Sequence, residues 1–283
     1  MAKKIAVIND LSGFGKCSLT AAIPVLSVMG LQPCPLPTAI LSAQTGYPSY
    51  YCDDYTDRME NFRIEWEKMK VHFDGIYTGF VASEQQIRTI FRFLDTFYRE
   101  DTFLLVDPVM GDDGDVYDMF TEELCRLMKQ LVEKADIVTP NLTELCLLAD
   151  TDYEQISGIN DKDKLLESVT QMAKNMINKD DKIIIVTGIH YKEDGVAMMG
   201  NLAVTREEVV LSGVPKLGGS YSGTGDLFAS VVTGGIARGD KLNGILKEAG
   251  AFLSASMEAS PDTDGYNPDG VEFEQCLGML LKK

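Results

Sequence analysis

An acid in the first turn of a helix, placed behind a run of glycines, can serve as a base beside an anion hole. The segment Gly218-Gly219-Ser220-Tyr221-Ser222-Gly223-Thr224-Gly225-Asp226 has that form and leads into the apolar stretch starting Leu227-Phe228-Ala229. At a helix start the backbone N–H groups of Gly223, Thr224 and Gly225 would point at one spot, with the positive end of the helix dipole behind them. Such a turn suits the charge that develops on a phosphoryl group in transfer. Asp226 would then take a proton from a substrate hydroxyl. The blander alternative is that Asp226 merely complements the dipole.

A second candidate lies in Asp107-Pro108-Val109-Met110-Gly111-Asp112-Asp113-Gly114-Asp115. Asp107 closes a buried strand, where Mg²⁺ could sit with one or two carboxylates, phosphate oxygens and waters. Asp113 and Asp115 read as a solvated acidic turn. An EF-hand fails on spacing here and in the 262–267 run. Asn141 and Glu144 form a capping box at a helix start, and they also follow a strand at the edge where ligands bind. Both roles stay open at this point.

Other chemistries lack material. Gly13-Phe14-Gly15-Lys16-Cys17-Ser18 matches neither a Walker A loop, which needs Gly at position 10 and Ser or Thr at 17, nor a dinucleotide fingerprint. What remains there is a turn at a helix N-terminus. Only His72 and His190 are present, so a Ser-His-Asp triad or a histidine-rich metal site has little to draw on. Cys17, Cys34, Cys52, Cys125, Cys146 and Cys276 are scattered without a CxxC pair, the pattern of reduced thiols in a cytoplasmic protein.

These residues need a scaffold, and the hydrophobic pattern describes one. Apolar strands are expected at 4–9, 32–37, 74–78, 103–109, 136–139 and 182–186, the second thinned by three prolines. Helices are expected at 18–29, 57–70, from Ser83 to 98, 121–134, after Asn141, and at 164–178. A β-meander should cover 196–210, and helical stretches should begin at Thr224, Lys241 and Val271. Strands alternating with helices imply a parallel sheet covered on both faces, with ligands beyond the carboxyl ends of the strands. The 283 residues show no linker or repeat and read as a single domain, 1–283. A net charge of −17 argues against nucleic acid or an anionic membrane as partner. No secretory signal or membrane-spanning run is evident.

With these segments in place, the chain resembles the ribokinase superfamily, within it the vitamin kinases, and most closely the pyridoxal kinases. The resemblance rests on Asn9-Asp-Leu-Ser-Gly-Phe-Gly, Thr45-Gly-Tyr47, Thr78-Gly79, Asp107-Pro-Val-Met-Gly-Asp112, Thr139-Pro-Asn-Leu-Thr-Glu144 and Gly223-Thr-Gly-Asp226, in family order. It implies an α/β fold of the ribokinase-like, three-layer α/β/α kind with a mostly parallel central sheet. It implies ATP-dependent phosphorylation of the 5'-hydroxymethyl group of pyridoxal, pyridoxine or pyridoxamine. Asp226 would be the base and Gly223, Thr224 and Gly225 the anion hole. Asp107 and Glu144 would handle Mg²⁺, and Asp112, Asn141, Glu144 and Thr187 would serve the nucleotide. Asp10, Ser12, Thr45 and Tyr47, with Asp226, would contact the substrate. A monovalent cation such as K⁺ and a homodimer are further implications. The Asp10-x-Ser12-Gly13 form also resembles hydroxymethylpyrimidine (phosphate) kinases of thiamin synthesis, which is the alternative.

Overall fold

The computed structural model describes residues 2–117, 119–261 and 265–281. Asp262 and Asp264, the acids of the second EF-hand comparison, lie outside them. In chain order the elements are β1 (Lys4–Ser12), α1 (Ser18–Val28), β2 (Gln32–Leu41), β3 (Cys52–Asp54), α2 (Thr56–Lys68), β4 (Gly75–Thr78), α3 (Glu84–Phe97) and β5 (Phe103–Val106). There follow β6 (Gly111–Asp112), β7 (Asp115–Val116), α4 (Glu122–Lys134), β8 (Ile137–Val138), α5 (Leu142–Leu148), α6 (Tyr153–Ser157), α7 (Lys162–Asn175), β9 (Ile183–Glu193), β10 (Val196–Val204) and β11 (Val209–Pro215). The chain closes with β12 (Ser220–Tyr221), α8 (Thr224–Arg238), α9 (Leu242–Ala259), β13 (Tyr266–Asn267) and a 3₁₀ helix, Phe273–Leu280. It divides into two compact units, Met1–Leu104 with Leu217–Lys283, and Leu105–Lys216.

In the first unit β1 runs parallel to both β2 and β4, and β3 adds antiparallel to the end of β2. Ile5, Ala6, Val7 and Ile8 have no exposed surface. Successive side chains of a strand point to opposite faces, so both faces of β1 are covered. Helix α1 packs on β1, β2 and α8, and α8 packs in turn on α9. The strand at 32–37 extends to Leu41 despite Pro33, Pro35 and Pro37. Prolines on alternate residues put their missing N–H groups on one side of the strand, while β1 uses the other side and β3 reaches only Ala39, Ile40 and Leu41. The β1–β2 register slips between Asn9 and Leu11, which pair with Pro37 and Ile40, so β2 spends an extra residue there. Such bulges re-aim side chains beside functional sites.

In the second unit β8 lies parallel to Leu105 and Val106 of β5 and to β9. Antiparallel β10 and β11 complete the ladder as the expected meander. The strand expected at 182–186 runs on to Glu193, because its second half pairs with β10 rather than ending at the ligand edge. Ser83, Thr121 and Asn141 each cap the helix that follows, accepting from Gln86, Leu124 and Glu144 N–H groups. The fold class read from the sequence, α/β with mostly parallel strands and covering helices, is the one observed. No described helix is long and apolar enough to cross a membrane.

Candidate active site

In the first unit the glycine turn does open a helix: Gly223 is the N-cap of α8, with φ 78. A Cβ on Gly223 would stand 2.0 Å from the Lys16 carbonyl oxygen and 2.9 Å from the Cys17 Cα. The segment before α1 therefore backs directly onto the turn, and only glycine fits there. The first N–H groups of α8 have no partners within the helix, which leaves them for an anion.

Asp226 sits in this first turn, and residues from three other parts of the chain surround its carboxyl. Asn9, in the second half of β1, donates Nδ2 to Asp226 Oδ1 at 3.0 Å. The Ser18 backbone N–H and the Tyr77 phenol also interact with the carboxylate. Removal from water pushes the Asp226 carboxyl up to about 6; the charge of Asp10 adds to this, and the Asn9 hydrogen bond together with the nearby Ser18 N–H and Tyr77 phenol opposes it. Burial raises a carboxyl because it disfavours the charged form. A carboxylate poised near neutrality is what general-base catalysis requires.

Ser18 reaches this position at a price in backbone conformation, with φ 49 in a non-glycine residue. Its hydroxyl donates to Asp10 Oδ1, and the Ser12 hydroxyl donates to Asp10 Oδ2 at 2.9 Å. Asp10 is 6% exposed, and burial raises its carboxyl above the ordinary range. Asp10 and Ser12 thus bind each other, both buried. The Cys17 thiol, between Asp10 and Asp226, is pushed up to about 12 by burial first and then by both carboxylates, so it stays protonated.

Thr45 lies exposed on the loop after β2, and Tyr47 donates its hydroxyl to Asp269. That bond pushes the Tyr47 phenol up to about 12. Gln44 ties the same loop to the chain near β13: its Oε1 accepts from the Gly46 N–H at 2.7 Å and its Nε2 donates to the Pro268 carbonyl at 3.0 Å. Strand β13 pairs in turn with β12, just ahead of Gly223.

The second unit gathers the other predicted residues. Asp107 and Glu144 are 7% and 5% exposed. Glu144 completes the capping box: Oε2 accepts from the Asn141 N–H at 2.8 Å, and Oε1 accepts from the Met110 N–H at 3.1 Å. Asn141 accepts in return from the Glu144 N–H at 2.9 Å and donates Nδ2 to the Gly111 carbonyl at 2.8 Å and to Asp112 Oδ1 at 3.4 Å. Thr187 bridges to Asn141 in parallel register, its N–H donating to the Pro140 carbonyl at 2.9 Å. Asp107 Oδ1 accepts the Thr139 hydroxyl at 2.9 Å. Capping therefore explains Asn141 and Glu144 locally, yet the cap also pulls Asp112, Thr187 and the Gly111 carbonyl to one place.

Burial raises Glu144 well above the ordinary carboxylate range, and the Asp107 charge raises it further against the hydrogen bonds of Asn141 and Met110. Two buried acids in mutual repulsion fit a divalent cation, which would neutralise both. Among the described residues no group of three or more His, Cys, Asp or Glu side chains could hold a metal ion by itself. The donor set suits Mg²⁺, which takes one or two carboxylates and completes its shell with waters and phosphate oxygens.

Sequence reasoning missed Asn9, Ser18 and Tyr77 as partners of Asp226. Asn9 was visible as a polar residue ending an expected strand and opening the first-loop motif, and nothing local points it toward a helix 217 positions away.

The mostly parallel α/β scaffold belongs to the small-molecule kinases of the ribokinase superfamily. Within that class the chain belongs to the phosphomethylpyrimidine kinase family, whose sequence pattern matches residues 19–268. A Bacteroides thetaiotaomicron protein crystallised in an orthorhombic form with pyridoxal is 37% identical; the match covers 99% of this chain and 96% of that one, with a TM-score of 0.89. Pyridoxal kinase from Lactobacillus plantarum is 28% identical, over 99% of this chain and 97% of its own, with a TM-score of 0.85. The hydroxymethylpyrimidine/phosphomethylpyrimidine kinase of Staphylococcus aureus strain MSSA476 is 29% identical over 192 residues, 66% of this chain and 64% of its own.

Proposed function

We propose that this kinase transfers the γ-phosphoryl group of ATP to the 5'-hydroxymethyl group of pyridoxal, pyridoxine or pyridoxamine. The observation that carries the proposal is Asp226, held in the first turn of α8 behind Gly223 with its carboxyl pushed up to about 6. Asp226 accepts the hydroxyl proton as the substrate oxygen attacks the γ-phosphorus; the bond to the bridging oxygen breaks and ADP leaves. The N–H groups of Gly223, Thr224 and Gly225 meet the negative charge that builds on the transferred group. Asp112, Asn141 and Thr187 serve the nucleotide phosphates. Bound with Asp107 and Glu144, largely through waters, Mg²⁺ would supply charge neutralisation. Thr45, Tyr47, Asp10 and Ser12 form the substrate end. Stimulation by a monovalent cation such as K⁺, a homodimer and a cytoplasmic location belong to the same proposal.

Phosphorylation of hydroxymethylpyrimidine or its phosphate is the second reading, favoured by the family pattern over residues 19–268 and by the Asp10-x-Ser12-Gly13 segment. Steady-state kcat/KM for pyridoxal, pyridoxine, pyridoxamine, hydroxymethylpyrimidine and its phosphate, with ATP and Mg²⁺, separates the two. A B6 vitamer should rank first; a clear preference for a pyrimidine overturns the proposal.

A further inference from the structure

Asn9 occupies a position that the local environment defines completely. It has no exposed surface. Its Oδ1 accepts two backbone N–H groups, from Asp10 at 3.0 Å and from Phe80 at 2.9 Å. An amide whose oxygen is held by two donors cannot flip, because flipping would turn its NH₂ group toward those same donors. Nδ2 is therefore committed to Asp226 Oδ1, which it meets at 3.0 Å. The room for this is made by Gly79, where a Cβ would stand 2.3 Å from Asn9 Nδ2. The register slip between Asn9 and Leu11 falls at this point of β1.

We propose that Asn9 is a positioning residue for the base: its locked side-chain amide holds the Asp226 carboxylate in the orientation from which it takes the proton of the acceptor hydroxyl. The inference rests on the kinase reading above and adds to it the group that sets the base. The Ser18 N–H and the Tyr77 phenol act on the Asp226 carboxylate as well. The titratable groups around it are Asp10 from β1, the Cys17 thiol ahead of α1 and the Tyr77 phenol from β4. A donor to the charged carboxylate favours ionisation, so Asn9 works against the burial and the Asp10 charge that keep the proton on.

The decisive variant is Asn9→Asp. It keeps an oxygen for the Asp10 and Phe80 N–H groups and replaces only the donor facing Asp226 with a like charge. The acid limb of kcat/KM should move up by about one pH unit or more. Activity should recover toward wild type as the pH is raised past that limb, with KM for ATP little changed. A merely structural role predicts an equal loss at every pH and an unmoved limb, and that result overturns the proposal.

Thermal unfolding gives a readout that needs no turnover. In the Asp226→Asn background donor and acceptor exchange places, so Asn9→Asp should lower Tm less there than in the wild type. Additive Tm changes would count against a direct coupling of the two positions. If the wild type phosphorylates no hydroxymethyl substrate, the kinase reading fails and the inference goes with it. If the wild type turns over but the limb stays put in Asn9→Asp, the inference alone fails.

Discussion

Asn9 and Asp226 lie 217 positions apart in the chain and are joined by a 3.0 Å hydrogen bond between Nδ2 and Oδ1. The bond links the second half of β1 to the first turn of α8.

Asp226→Asn preserves the shape of the side chain and removes the proton acceptor. Turnover should fall by a factor of about 10²–10⁴, the usual contribution of a general base. Nucleotide binding, followed by titration calorimetry, should persist. In the wild type the protonated carboxyl cannot act, so kcat/KM should decline on the acid side with a midpoint at about 6. Retention of near-normal turnover by Asp226→Asn would remove the base from the mechanism.

Gly223→Ala tests the turn. The position has φ 78 and a Cβ would meet the Lys16 carbonyl at 2.0 Å. Strain of this kind costs about 1–3 kcal/mol, and the displaced N–H groups should also lower kcat. Gly239, with φ 77 and no atom within 4 Å of a Cβ, is the control. Gly239→Asn should change neither Tm nor kcat appreciably, since Asn tolerates the left-handed region.

Asn141→Ala removes the cap of α5 and the bond to the Gly111 carbonyl. A lost cap costs about 0.5–2 kcal/mol, read as a lower midpoint in denaturant. Glu144→Gln removes one of two buried charges. If the pair serves Mg²⁺, the Mg²⁺ concentration for half-maximal turnover should rise several-fold; an unchanged requirement would leave Glu144 with its capping role alone.

Lys182 has no exposed surface, and its ammonium donates to the Val132 carbonyl at 2.6 Å near the end of α4. Burial lowers it from 10.5 to about 8. Between those values the unfolded chain holds more protons than the folded one, so this group makes stability rise with pH across that window. Unfolding free energies of wild type and Lys182→Met, compared from pH 8 upward, should show the steeper rise in the wild type. Parallel curves would contradict the assignment.

The sequence by itself determined what depends on near neighbours. The caps at Ser83, Thr121 and Asn141 form as their spacing dictates, because a side chain reaching an N–H two or three residues on needs nothing else. The buried strands and the glycine turn ahead of Asp226 were legible for the same reason: apolar runs and φ above zero are local properties. The prolines of β2 misled on its length, since only the neighbouring strands reveal which N–H groups are needed. The partner of the Tyr47 hydroxyl, Asp269, lies 222 positions away and no local signal reveals it. The closing contacts came from the tertiary structure alone. Asn9, Ser18 and Tyr77 converge on Asp226 from β1, α1 and β4, and the raised basicity of the carboxyl follows from its burial, which those three groups oppose. A pKa is set by how much water is excluded and which charges and donors come near, and those belong to the packed molecule rather than to any stretch of its chain.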